Sequence, residues 1–188
     1  MSSTEAVKAK TAKNELGELE SMLSGSSSSE QVCQKLAQIL RVRRSEIALL
    51  RVEKGSLRFI FPVELRSAGV LPLSGSAVAA RTAATRTPLL SNSFMRVRHV
   101  SLFEAVKLSP GEEDKSMEQM PIQKIMSVPV ASGDKVIGVV QVSRKGLDQK
   151  MAGADFTGED LRRLEQAADI LARMPFLQEG AELEKPPS

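Results

Sequence analysis

The chain reads as an α+β domain: an antiparallel sheet of about five to six strands. N- and C-terminal helices pack on one face and a short helix and loop segment covers the other. Three observations predict this. Two long apolar runs, 125–130 and 136–142, flank the turn triplet Ser132-Gly133-Asp134. A capped amphipathic helix follows them, opening at Thr157. The remaining segments alternate between periods of two and of 3.6 residues, in the order helix, two strands, short helix, strand, helical loop, two strands, helix.

From the N-terminus, residues 1–12 are polar. The stretch 14–23 places Leu16, Leu19, Met22 and Leu23 at helical spacing. Ser24-Gly25-Ser26-Ser27-Ser28-Ser29 breaks that pattern as a short joint. A second helix over 30–41 carries Val32, Leu36, Ile39 and Leu40 on one stripe, with Cys33 beside it. Strands follow at 46–52 and 57–61, joined by Lys54-Gly55, where glycine tolerates the positive φ of a hairpin turn. Pro62 ends the second strand, and a third short strand is expected at 70–73. Ser74 is expected to cap an Ala-rich helix over 75–85, which Thr87-Pro88 stops. Leu89-Leu90 forms a short strand, 94–108 a partly helical segment, and 109–120 a charged loop closed by Pro121.

The runs 125–130 and 136–142 are apolar at nearly every position, which means burial on both faces or a central place in the sheet. Pro129 runs against a central place, because proline lacks the ladder donor. In the last helix, Thr157 and Asp160 have capping-box spacing, and Leu161, Leu164, Ala168 and Leu171 make a stripe that Ala167 and Ile170 widen. Pro175 is expected to end it. The organisation expected is a tail, short helix and joint over 1–29, one domain over 30–177, and a disordered tail over 178–188.

Composition sets bounds. The 188 residues suit one domain, and 41% apolar against 26% charged residues is enough for a packed core. A net charge of +3 does not argue for nucleic acid, and neither a recognition helix nor interleaved aromatics is apparent. The charge is uneven: between Arg41 and His99 eleven Lys/Arg stand against three acids, an excess of eight. With one cysteine, no internal disulfide and no cysteine metal cluster forms. No apolar run reaches 18 residues and no signal core opens the chain, so a cytoplasmic protein without membrane contact is expected.

Three passages together resemble the GAF domain family, a sensory α/β module. Leu71-Pro72-Leu73-Ser74-Gly75-Ser76-Ala77-Val78-Ala79 with Thr87-Pro88-Leu89-Leu90 is similar to one family passage. Val128-Pro129-Val130 with Lys135-Val136-Ile137-Gly138-Val139-Val140-Gln141 is similar to the family hairpin. Phe156-Thr157-Gly158-Glu159-Asp160-Leu161 is similar to its last helix. The resemblance spans roughly 30–175. Of the signature of the cyclic-nucleotide-binding branch, Lys145, Phe156 and Asp160 are present, while Arg144 and Leu161 replace the Asn and Glu.

The resemblance implies a regulatory domain that binds a small molecule, anionic or nucleotide-like, between the sheet and the 75–108 segment. It would signal through a homodimer formed by the terminal helices, or through a separate output protein. The alternative is a ligand-free dimerisation or adaptor module. An enzyme is disfavoured by the single cysteine, the single histidine and the lack of a carboxylate constellation, and the sequence names no cofactor. Candidate ligand-binding residues are Ser76, Asn92, Arg96, Arg98, His99 and Gln141. Arg96 and Arg98 form either an anion clamp or a solvated helix face. His99 is either a rim residue or a ligand donor. Ser76 lies in a tract expected at a helix start, where free N–H groups face a positive dipole end. Gln141 and Ser127 are polar residues inside apolar strands that need partners, supplied either by a pocket or across the sheet. Arg41-Val42-Arg43-Arg44 complements a helix C-terminus.

Overall fold

The computed structural model describes residue 11 and residues 14–94 and 120–182. The frame is a six-stranded, fully antiparallel sheet in the order β3-β2-β1-β6-β5-β4. Its strands are β1 (Ile47–Glu53), β2 (Ser56–Phe61), β3 (Val70–Pro72), β4 (Leu89–Ser91), β5 (Ile122–Ser132) and β6 (Lys135–Lys145). The sheet is built outward from β5 and β6, which pair from Ile122↔Lys145 to Ser132↔Lys135. Gly133, at φ 59°, turns the chain between them. The β1–β2 turn uses Lys54 (φ 46°) and Gly55 (φ 75°), two successive left-handed residues that match the twist of the strands.

Both central strands run several residues beyond the apolar runs that predict them. Gln123, Lys124, Ser143 and Lys145 are strand residues and are buried, so their polarity does not mark the strand ends. Pro129 is accommodated because β4 pairs β5 only as far as Leu89↔Ser127. Beyond that point β5 has β6 as its one neighbour, with Pro129 opposite Val139.

One face of the sheet carries α1 (residues 14–21), α2 (Ser29–Leu40), α4 (Gly158–Leu171) and α5 (Pro175–Glu182). Their buried stripes meet Leu49, Met126, Val128, Val140 and Val142 of the sheet. Ser28, the last-but-one residue of the serine joint, closes a capping box with Gln31 at the start of α2. Thr157 and Asp160 do the same for α4: the Thr157 amide donates to Asp160 Oδ2 at 2.8 Å and the Asp160 amide to Thr157 Oγ1 at 3.1 Å. Leu164, Ala167, Ala168, Ile170 and Leu171 of α4 are buried, while Arg162, Gln166 and Asp169 face outward.

The other face carries α3 (Val78–Thr85). Here the structure corrects the expected helix start. Gly75 N–H closes a turn onto the Pro72 carbonyl at 2.9 Å, and the helix begins at Val78 after Ala77, which makes no side-chain cap. Ser74 therefore sits in a turn and caps nothing. A second correction concerns the C-terminus. Pro175 does not merely end α4; it opens α5 at the first helical position, where its missing N–H costs nothing. Residues 178–182, expected in a disordered tail, belong to this helix. Arg51 Nη1 donates to the Phe176 carbonyl at 2.8 Å, and Leu177 is fully buried, so α5 is tied to the sheet. At the other end α1, expected ahead of the domain, places Leu19 in the core.

Gly138 is where α5 crosses β6. A Cβ there would lie 2.5 Å from the Leu50 carbonyl oxygen and 3.2 Å from Leu177 Cδ2. Gly138→Ala is expected to destabilise the fold by roughly 1–3 kcal/mol through overpacking, measured by urea unfolding. Gly158→Ala, with open space at the first turn of α4, is expected to be neutral or to stabilise by about 0.5 kcal/mol in the same measurement.

Candidate functional site

Four of the eight residues of α3 are alanines, and Ala79, Ala80 and Ala83 are buried against the sheet. Small side chains let the helix axis come close to the strands. Thr82 is the buried polar residue of this helix, and it points into the interface. Its Oγ1 donates to Ser127 Oγ on β5 at 2.8 Å, and Gln141 Nε2 on β6 donates to the same oxygen at 3.2 Å. Ser127 and Gln141 are direct cross-strand partners, and Ala48 of β1 is the next residue in the row. All three polar side chains are at least nine-tenths buried. The hydrogen bonds explain why they are tolerated, since an unpaired buried group costs about 1–3 kcal/mol.

Apolar groups flank the set on both sides: Leu50, Phe59 and Val139 towards the β2 edge, and Val78, Phe94 and Ile125 towards the β4 edge. The geometry is a neutral polar spot in an apolar surface under a short helix. A separate open groove of about 570 Å³ lies at the hairpin ends, between Val52, Leu73, Val136 and Arg86. Arg86 and Lys135 line it together with Asp134, so charges of both signs meet there and no polar set converges.

The sequence-predicted residues divide three ways. Gln141 lies in the buried set. Ser76 is exposed in the turn before α3 and touches none of it. Asn92 is half-buried, and its amide is engaged elsewhere on both sides: Nδ2 donates to the Phe156 carbonyl and Oδ1 accepts from the Phe156 N–H, each at 2.9 Å. It fastens the end of β4 to the start of α4, a structural role in place of the expected ligand contact. Arg96, Arg98 and His99 lie outside the described residues. Sequence reasoning missed Thr82; the signal available was a threonine on the alanine side of a helix that carries two.

Part of the basic charge upstream is paired internally. Arg43 pairs with Glu46 at 2.9 Å, Arg58 with Glu53 at 2.9 Å, and Arg51 with Glu53 and Glu179. Burial pushes the Glu53 carboxyl upward, but hydrogen bonds from Arg51 and Arg58 outweigh it and hold the group below its usual range. Lys145, Phe156 and Asp160, the retained signature residues, serve the frame: Lys145 N–H donates to buried Glu46, Phe156 packs in the core and Asp160 caps α4. Among the described residues no cluster of three or more His, Cys, Asp or Glu could hold a metal ion. No described helix is long and apolar enough to cross a membrane.

A family model for the GAF domain matches residues 26–174. The chain belongs to the GAF domain family. Its fold is similar to the GAF domain of an Acinetobacter phosphoenolpyruvate-protein phosphotransferase (15% identity, all of both chains, TM-score 0.63). It is also similar to the GAF domain of the Coxiella burnetii phosphoenolpyruvate-protein phosphotransferase (14%, 93% of this chain and 98% of that one, 0.62). A third likeness is to the type II free methionine-R-sulfoxide reductase of Thermoplasma acidophilum (16%, 88% and 96%, 0.55). At these identities the likeness is one of fold. No curated protein matches the chain in sequence.

Two outcomes are expected from this GAF domain. Asn92→Ala removes both bonds to Phe156 and should cost about 1–3 kcal/mol, read as a lower urea midpoint at unchanged slope. The second concerns Cys33, buried in α2, whose thiol burial pushes well above its usual range. It should not react with a disulfide reagent at pH 8 in the native protein and should react on unfolding. The unfolded thiol ionises near pH 8.5 while the folded one stays neutral, so stability from this group is present below that pH and declines above it.

Proposed function

We propose that this GAF domain is a non-enzymatic regulatory module that binds a small molecule on the α3 face and reports it through a second copy or a separate output protein. The observation that carries the reading is the Thr82–Ser127–Gln141 set. Three neutral polar side chains converge in an otherwise apolar interface under α3, a composition that suits a small-molecule site. Arg96, Arg98 and His99 enter as sequence-based candidates for an anionic or nucleotide-like portion of the ligand. Ser76 is left without support, and Asn92 is committed to Phe156.

The non-enzyme reading rests on where the thiol lies. The Thermoplasma protein is a free methionine-R-sulfoxide reductase; here the one cysteine is sealed in the α2 core, across the sheet from the Gln141 set. The reduced thiol also suits a cytoplasmic setting. The apolar stripe of α4 is spent on its own sheet, so a homodimer of terminal helices would use polar faces such as Arg162, Gln166 and Asp169. The adaptor reading is favoured by one observation: Leu50, Phe59 and Val139 already fill much of the sheet under α3.

A thermal-shift panel of nucleotides and small organic anions tests this. A ligand at about a hundred times its Kd adds about 2.7 kcal/mol to stability, and Gln141→Leu should abolish the shift while keeping the fold. No shift across the panel, with a stable dimer in sizing chromatography, would establish the adaptor reading instead. Turnover of a free sulfoxide would overturn both.

A further inference from the structure

Among the described residues the Arg144 guanidinium meets no protein acceptor. It lies on β6 directly opposite Lys124 of β5, so both side chains rise from the α4 face, across the sheet from Gln141. Its Cζ stands 4.8 Å from the centre of the Phe156 ring. Among the described residues none of its donors meets an acceptor, and Nε is enclosed without a partner. Surface arginines are often left unpaired, but this one is half-buried and held in place by its surroundings.

Those surroundings are built. Asn92 grips both backbone polar groups of Phe156 and so fixes the ring under the guanidinium. Lys124, 3% exposed, donates from Nζ to the Gly153 carbonyl at 2.5 Å and to Asp155 Oδ1 at 2.7 Å, which fastens the 146–156 loop alongside. Gln123 Nε2 holds the loop's start through the Gly146 carbonyl at 2.9 Å. Gly153, at φ +85°, borders the terminal nitrogens; a Cβ there would lie 3.9 Å from Arg144 Nη1. The result is a patch in which the guanidinium lies over an aromatic ring, beside a glycine and next to a second positive charge. One carboxylate, Asp155, answers them, since that of Asp160 is committed to the Thr157 N–H and hydroxyl.

We propose that this patch binds a small phosphate-type oxyanion through Nη1 and Nη2 of Arg144. Enclosure of Nε excludes the side-on fork and leaves the end-on one, in which two parallel N–H groups meet two oxygens of one anion. With Lys124 paired to Asp155 one net positive charge remains, and it favours a dianion over a monoanion because Coulomb attraction scales with the ligand's charge. The site is independent of the ligand proposed for the α3 face.

The test is titration of inorganic phosphate into the full chain, followed by NMR at the Arg144 Nε–H and the Gly153 amide, with acetate and chloride at matched ionic strength. Saturable shifts at both signals are expected with phosphate and weaker ones with acetate. Arg144→Met should weaken binding roughly tenfold or more, the equivalent of one charge-assisted hydrogen bond. Arg144→Lys, which keeps the charge and removes the fork, should also weaken it and serves if the Met variant fails to fold; Arg163→Met should not. Non-saturating shifts, or unchanged binding in Arg144→Lys, would overturn the proposal. So would a phosphate response that Gln141→Leu removes and Arg144→Lys retains, since it would place the anion on the α3 face.

Discussion

The pairing of β5 with β6 is the constraint on which the rest of this structure depends. Eleven residues on each side meet in one antiparallel ladder, and most are buried on both faces. β1 docks on β6 and β4 on β5, so every other strand takes its register from this hairpin. Its apolar side chains supply the surface against which helices on both sides find their burial, which at about 25 cal/mol per Å² outweighs any single polar contact. The turn at Gly133 and the bulge between Val130 and Ala131 sit at its far end, where the ladder can twist without disturbing the centre.

The two faces solve the packing problem differently. Towards α2, α4 and α5 the strands present Val, Leu and Met, and large aliphatic stripes answer them. Towards α3 the helix brings alanines, so it lies close and covers little width. That economy leaves room for Gln141 and Ser127 on the sheet, with Thr82 above them to complete the bonds. A bulkier helix would need an apolar floor throughout, and a polar pair there would be a net cost.

Much of the frame was legible because it rests on local rules. Thr157 with Asp160 announced a cap, and Lys54-Gly55 a turn, from residue chemistry alone. The strand ends were not legible. Lys124 looks like a terminus in sequence and is buried in fact, because its amine finds Gly153 and Asp155 about thirty residues away. Ser74 looks like a cap, yet the Pro72 carbonyl takes the Gly75 N–H and the helix starts later. The site was half legible: a glutamine between valines draws notice, whereas a threonine among alanines is ordinary until the sheet places Ser127 beneath it. Arg43, Arg51 and Arg58 are illegible for the same reason, since Glu46, Glu53 and Glu179 answer them at sequence distances from two to well over a hundred residues.

Strand alternation is what lets one hairpin serve both sides. Gln141 and Arg144 are three positions apart on β6, an odd separation, so one faces α3 and the other α4. Their partners on β5, Ser127 and Lys124, are likewise three apart and follow them to opposite faces. These two polar pairs thus stand in register on both strands, one on each face, and each is matched by a group from outside the hairpin. Thr82 of α3 completes one, and Phe156, with Asn92 behind it, completes the other. A one-residue slip between β5 and β6 would send Ser127 and Lys124 to the wrong faces, away from Gln141 and Thr82 on one side and from Gly153 and Asp155 on the other. The polar residues therefore fix the register that the largely apolar sequence of the hairpin specifies weakly.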